Sequence, residues 1–529
     1  MKYGKAGRHE KDRNKPAKQT AGKSSMSRRR NSRNKQPSGV SGASAVNNEN
    51  SVQPAALAAG NWHANDIVEV DIVDLTHEGQ GVARLASYPL FVSGTIPGDR
   101  WKVKLAHLKK SYGFAEPVEL LSASPSRISA PCAIFDQCGG CQLQQFDYEQ
   151  QLVWKRQLVV NNLLKIGKLN VVKEESTVEV GEQTGVIVRP TIRMAHPWKY
   201  RNKSTVPVGR EERTGQLIAG FYERGSHEIV DMDHCLIQNE PNDEAVRVVK
   251  QIAKQLQIEP YDERTRSGLL RHIMVRSGEV TGEMMVVLIT NGRIIPQLAE
   301  WLKRIRKELP QVTSIVQNIN ERNTNVIFGE QTITLWGSDI IYDELDGIRF
   351  AISARSFFQV NPKQTIALYQ KAVEYAALTG QETVIDAYCG IGTISLFLAR
   401  QAAHVYGVEI VPEAIEDAKR NAGLNSINNT TFAVGAAEQV MPAWKQQGIT
   451  ADVIVVDPPR KGCDPILLET IIQLQPKRVV YVSCNPSTLA RDLRILEDGG
   501  YRIVEATPVD MFAWTSHVES VVSMHRVDK

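Results

Sequence analysis

Nowhere in this 529-residue chain do about 18 apolar residues run together, so the sequence offers no helix able to span a bilayer. The first sixty residues also lack the roughly 7–15-residue apolar block of a secretory signal. Cysteine is scarce, seven in all. Without an export signal these point to a reducing cytosol, where they serve as metal ligands, nucleophiles or buried bystanders rather than disulfide partners. A large charge of one sign is missing too, the formal net charge being +4. That balance conceals an asymmetry: residues 1–50 hold 13 Lys/Arg against Glu10, Asp12 and Glu49, which is +10 and leaves −6 for the rest. This Ser/Asn-rich start has no helical apolar periodicity, so residues 1–60 are expected to form a disordered basic arm suited to an anionic partner such as nucleic acid. Membrane and secreted classes are thereby disfavoured, and a cytoplasmic protein is expected.

The remaining length calls for several domains. Residues 61–125 alternate apolar and polar positions at Ile67–Val73, Pro89–Val92 and Trp101–Leu105, with turns at Glu78–Gly81 and Pro97–Asp99. Short alternating strands between Gly/Pro turns predict a small β-barrel. Residues 126–350 read as a mixed α+β section, with helices predicted at Glu149–Leu164, Asp243–Leu256 and Ile295–Glu308. Residues 351–529 alternate strand and helix: Val384–Asp386, Val405–Glu409, Val453–Asp457 and Val479–Val482 are apolar runs, with helices predicted at Thr393–Gln401, Pro412–Asn421 and Thr488–Glu497. That pattern predicts an α/β, Rossmann-like, doubly wound parallel sheet. Its last two strands, close in sequence, must pair antiparallel.

The strand at Val384–Asp386 runs into Tyr388-Cys389-Gly390-Ile391-Gly392-Thr393 and then a helix, a turn that lets a ligand approach the backbone closely. Glu409 ends the next strand, placed to bond ribose hydroxyls. The third glycine of a nicotinamide fingerprint is missing, position 395 being Ser, and Asp386 would repel a pyrophosphate. S-adenosylmethionine, with its cationic sulfonium, fits better. Asp457-Pro458-Pro459 follows an apolar strand, and its prolines hold that turn rigid. The aromatic residue that amino-methylating enzymes place after such a pair is also missing, Arg460 standing there, which disfavours an exocyclic amine as target. Cys484 ends the next strand just before a helix that Ser487 is expected to cap, where the helix field should favour thiolate. A thiolate that adds to carbon 6 of a uracil puts negative charge on carbon 5, which can then take a methyl group. A base must remove the carbon-5 proton; Glu519 is the candidate and His517 the competitor. Cys389 and Cys463 read as buried bystanders.

Taken together, Cys484-Asn485-Pro486, Asp457-Pro458-Pro459-Arg460, His517-Val518-Glu519 and Phe357-Phe358-Gln359-Val360-Asn361 resemble the RNA uracil-5 methyltransferase family, from about residue 61 to the end. The resemblance implies Cys484 as nucleophile, Glu519 as proton acceptor, and Gln359, Tyr388, Glu409 and Asp457 around S-adenosylmethionine and the target base. Thr393 takes a further cofactor-adjacent position where some relatives carry Asn. The section at 61–125, with Glu78-Gly79-Gln80-Gly81, resembles the OB-like TRAM domain. Cys132, Cys138 and Cys141, with Cys235 after 93 intervening residues, resemble the ligands of a [4Fe–4S] cluster in the ribosomal RNA branch; the donor set alone also suits zinc. These features favour 23S ribosomal RNA as partner over transfer RNA. A cytosine-5 RNA methyltransferase and a non-catalytic RNA-binding factor are the competing functions. Trp198-Lys199-Tyr200-Arg201-Asn202-Lys203 is expected to stack on unpaired bases. No protein partner is evident, and a monomer is expected.

Overall fold

The computed structural model describes residues 62–172 and 185–527; the basic arm at 1–60 lies outside them. The strands Ile67–Leu75, Gly81–Leu85, Tyr88–Val92, Arg100–Leu108 and Gly113–Ser122 close into a barrel, in the order first, second, third, fifth, fourth. Inward positions alternate along each strand and fill the interior with Val70, Ile72, Leu90, Val92, Val103 and Leu105. Outward cations of the fourth strand are matched by carboxylates: Lys102 meets Glu119 at 2.7 Å and Lys104 meets Glu116 at 3.1 Å. The buried Asp99 carboxylate ties the barrel to the following segment, accepting from the Ser124 amide at 3.0 Å and from Arg127.

A seven-stranded sheet follows, ordered Ile229–Asp231, Leu217–Tyr222, Lys203–Arg210, Leu270–Ser277, Met284–Thr290, Val312–Ile319 and Gln331–Gly337. Its centre is apolar on both faces. Met284, Val286 and Leu288 pack under the helices Glu240–Gln255 and Leu298–Glu308. Their neighbours Met285, Val287 and Ile289 enter the same core as Leu368, Tyr369, Val384 and Val455 of the C-terminal part. The third predicted helix starts later than expected because Gln297 takes a left-handed backbone conformation, φ 54°, just before it.

The C-terminal sheet has nine strands: Thr430–Val434, His404–Glu409, Thr383–Ala387, Val453–Val456, Arg478–Ser483, Glu519–Arg526, Tyr501–Val509, Val186–Val188 and Val171–Val172. Among the described strands only Glu519–Arg526 runs antiparallel to both of its neighbours, which sets Glu519 at the end of the sheet where the parallel strands finish. The expected division near residue 350 is crossed by the chain itself. Val186–Val188 pairs parallel with Tyr501–Val509, and Val159 and Leu163 of the helix Tyr148–Lys165 share a core with Leu489 and Leu493. The same helix supplies Lys155, fully buried 2.6 Å from the fully buried Asp510. Asp510 also accepts from the Tyr148 hydroxyl at 2.8 Å.

Candidate active site

One end of the nine-stranded sheet gathers the predicted chemistry. Ala387 pairs with both Val408 and Val456, so Tyr388, Glu409 and Asp457 follow side by side across three strands. Ser483 faces Ser520 across the antiparallel pair, which makes Cys484 and Glu519 the next opposed residues. Glu519 therefore stands on an interior strand, not at an edge, and is 5% exposed. Gln359 and Thr393 join through Tyr369, whose hydroxyl lies 3.2 Å from the Thr393 hydroxyl and bonds the Gln359 side chain. That phenol also senses the charges of Asp457 and Asp386.

Two Asn-Pro pairs shape the approaches. Asn361 caps the helix Pro362–Ala376 and donates to the Met511 carbonyl at 3.0 Å, anchoring the segment that carries Gln359. Asn485, not Ser487, caps the helix Pro486–Asp498, its side chain accepting from the Ser487 amide at 3.0 Å. Proline at the first helical position dispenses with an amide that would go unbonded and starts the helix one turn-corner early. The Asn485 amide also donates to the Arg460 carbonyl at 3.0 Å, and so fixes the thiol loop to the Pro-Pro-Arg turn.

The electrostatics differ from expectation. Burial pushes the Cys484 thiol up to about 12, with the Glu519 and Asp457 charges adding to the effect and Arg460 opposing it. A helix terminus contributes about 0.3–1 kcal/mol, too little to offset a half-buried position beside two carboxylates. The free thiol is thus protonated, contrary to the predicted thiolate. Burial likewise pushes Glu519 up to about 8, again with Asp457 adding and Arg460 opposing. Asp457 is pushed up to about 7 by burial. His517 goes the other way, down to about 4, from burial and from the Arg460, Lys155 and Arg201 charges. It is a weak base there, whereas Glu519 exchanges protons near neutrality, where acid–base catalysis is efficient.

The glycine turn leaves room for a ligand. A Cβ built on Gly390, at φ 55°, would meet nothing within 4 Å. Below it Asp386 is fully buried; one carboxylate oxygen accepts from the Ser395 hydroxyl at 2.5 Å and the other has no partner. Burial pushes this carboxyl up to about 7, against the Ser395 hydrogen bond and with help from Asp457. Glu409 accepts from the Val411 amide at 3.0 Å. An open floor with an unpartnered acid and a strand-end glutamate fits a ribose and a sulfonium. Tyr388 lies at the turn with φ 70°, and its hydroxyl accepts from the Asp464 amide and senses the Cys463 sulfur. Tyr369 was not among the expected site residues, and Asp386 and Arg460, though named with the ligand turn and the Pro-Pro motif, carried no expected role of their own. The strand-end position of Asp386 was the one available signal, and Tyr369 carried none.

The four cysteines Cys132, Cys138, Cys141 and Cys235 line one cavity of ≈ 40 Å³, together with Phe135, Gln144, Arg201 and Ile237. Burial raises Cys141 to about 11 and Cys235 to about 12. Among the described residues no three His, Cys, Asp or Glu side chains stand in metal-holding geometry. The shared cavity and its four sulfurs nonetheless make a donor set of the right chemistry for a thiolate-bound metal. The Trp198–Lys203 stretch is not the stacking surface expected. Trp198 stacks on Trp514, ring centroids 4.2 Å apart at 18°, and the buried Tyr200 donates to the Ala513 carbonyl at 3.0 Å. These aromatics brace the segment leading to Glu519.

A barrel joined to a Rossmann-like sheet whose ligand turn, thiol and buried carboxylates meet at one sheet end defines an S-adenosylmethionine-dependent RNA methyltransferase. Residues 278–527 match the tRNA (Uracil-5-)-methyltransferase family and residues 63–118 the TRAM domain. An uncharacterised RNA methyltransferase of Halalkalibacterium halodurans is 59% identical over 86% of this chain and 96% of its own. One from Staphylococcus epidermidis is 47% identical over 88% and 98%. The structure of Pyrococcus abyssi tRNA (uracil-54, C5)-methyltransferase in complex with S-adenosyl-L-homocysteine is similar, with 26% identity and a TM-score of 0.66 over 86% of this chain and 100% of that one. The chain belongs to the RNA uracil-5 methyltransferase family.

Proposed function

We propose that the enzyme makes 5-methyluridine in 23S ribosomal RNA through a covalent bond between the Cys484 sulfur and carbon 6 of the target base. The observation that carries this reading is the opposition of Cys484 and Glu519 across adjacent strands. As the sulfur–carbon bond forms, the Cys484 proton passes to water at the half-buried thiol, leaving Glu519 free, and the ring becomes an enolate nucleophilic at carbon 5. S-adenosylmethionine, held by Gln359, Tyr388, Thr393, Glu409 and Asp457, supplies the methyl group when bound. Glu519 then takes the carbon-5 proton, the ring electrons expel the sulfur, and the product leaves. A flipped or looped uridine is required to reach a half-buried thiol.

The ribosomal assignment draws on the four cysteines that share a cavity. In this reading they hold a [4Fe–4S] cluster that staples the central section and takes no part in redox chemistry. Transfer RNA is the second reading, favoured by the stated substrate of the Pyrococcus abyssi neighbour. Incubating 23S ribosomal RNA and transfer RNA separately with labelled S-adenosylmethionine, followed by nucleoside analysis, decides between them. Label in 5-methyluridine of the 23S RNA alone is expected; label in transfer RNA, or in 5-methylcytidine, rejects the proposal. Anaerobically purified protein should be brown, and a colourless protein with stoichiometric zinc would reject the cluster.

A further inference from the structure

Beside the site, among the described residues, runs a row of cations, of which Arg460 faces the site carboxylates and Arg201 also borders the cysteine cavity. The Arg460 guanidinium lies 3.4 Å from His517. The His517 ring meets Phe512 edge-on, centroids 6.1 Å apart, and the Arg201 guanidinium sits 5.6 Å from the centre of the same Phe512 ring. Lys203 follows two residues on, and the strand register sets it directly opposite Arg276. Arg276 is 5% exposed and donates to the Ser356 carbonyl at 2.6 Å, three residues before Gln359. The Asn202 amide donates to the Val360 carbonyl at 2.9 Å, which binds the row to the other side of Gln359.

Several of these groups lack the partners that buried charges require. The Nε atoms of both Arg201 and Arg276 are buried without an acceptor. Burial and then the Arg276 and Arg201 charges push the Lys203 ammonium down to about 7, and among the described residues no carboxylate acts on it. Burial alone lowers Arg276. Removing a buried charge from water is costly unless an opposite charge meets it, and three converging cations raise that cost. An oxyanion supplied by a ligand would offset it. We propose that Arg201, Lys203 and Arg276 form a binding site for a phosphodiester group of the substrate RNA, next to the nucleotide that enters the catalytic cleft. The inference rests on the chain being an RNA methyltransferase, and it is independent of which carbon is methylated.

The test compares the full-length wild type with Lys203→Met and Lys203→Arg. Binding of labelled 23S ribosomal RNA and transfer RNA transcripts, each on its own, is measured without cofactor over a range of salt, alongside S-adenosylmethionine binding and thermal midpoints, and the RNA bound more tightly by the wild type is the one compared. Lys203→Met should weaken RNA binding roughly tenfold and reduce the slope of log affinity against log salt by about 1, as for one lost phosphate contact. Lys203→Arg should restore both. The thermal midpoint of Lys203→Met should be equal or higher, because an unpaired buried charge has been removed. Unchanged RNA affinity and slope would overturn the proposal. So would weaker cofactor binding with RNA binding intact, which would assign the cations to the cofactor carboxylate. Parallel loss of thermal stability and RNA affinity would make Lys203 a structural residue and overturn it as well. Because binding is read without turnover, failure here is separable from failure of the uracil assignment.

Discussion

Cys484 should be slow to alkylate in the free enzyme, and the structure gives the size of the effect. Raising a thiol from 9.0 to about 12 lowers its thiolate fraction about a thousandfold near neutral pH. The more basic thiolate is intrinsically more nucleophilic, which returns roughly 15- to 30-fold at a Brønsted slope of about 0.4–0.5. The net expectation is alkylation roughly 30- to 70-fold slower than for a free cysteine. Iodoacetamide labelling, followed by mass spectrometry of the peptide carrying Cys484, measures the rate directly. Asp457→Asn removes a charge that opposes the thiolate and should speed the reaction near neutral pH, whereas Glu519→Gln should do so only above about pH 8, where that carboxyl ionises. Labelling of the wild type as fast as free cysteine would refute the argument and restore the helix field as the dominant influence. If the rate is slow, activation must come with the bound base, whose carbonyls and the cations around it take up the charge that the resting site cannot hold.

Two further outcomes follow from buried charges. Lys155→Met leaves the Asp510 carboxylate buried and uncompensated, so it should cost about 3–5 kcal/mol in chemical denaturation, while Lys155→Met with Asp510→Leu should regain most of that; a single-variant cost under about 1 kcal/mol contradicts the pairing. Glu519 rises from 4.5 to about 8 on folding, so the folded protein keeps a proton that the unfolded chain releases. Wild-type stability should therefore fall relative to Glu519→Gln as pH rises through that window, with no difference from ionisation below it. Parallel stability curves for the two proteins across the window would contradict the burial of this carboxylate.

Much of the C-terminal architecture was readable because it depends on local pattern. Val453–Val456 is apolar throughout, as a strand covered on both faces must be, and Asp457 and Cys484 fall where such strands end. The antiparallel return of Glu519 followed from the short link before it. What was not readable depends on partners far away in sequence. The alternation at Trp198–Lys203 suits an exposed strand and a core-facing one equally, and only Trp514, more than three hundred residues later, decides that the aromatics turn inward. Val171–Val172 and Val186–Val188 are too short to stand out, and they become strands because Tyr501–Val509 offers a free edge. The thiol was misjudged for a related reason. Helix fields can be read from order along the chain, but desolvation and the opposing carboxylates appear only once three strands lie side by side.

The covalent mechanism is tested most directly by Glu519→Gln incubated with substrate RNA and S-adenosylmethionine and run on a denaturing gel. Without a base to take the carbon-5 proton the sulfur cannot depart, so a protein–RNA band resistant to denaturation should accumulate, and it should vanish when Cys484→Ala is added. A Glu519→Gln protein that forms no such band, or a band that persists without the Cys484 sulfur, would contradict the account.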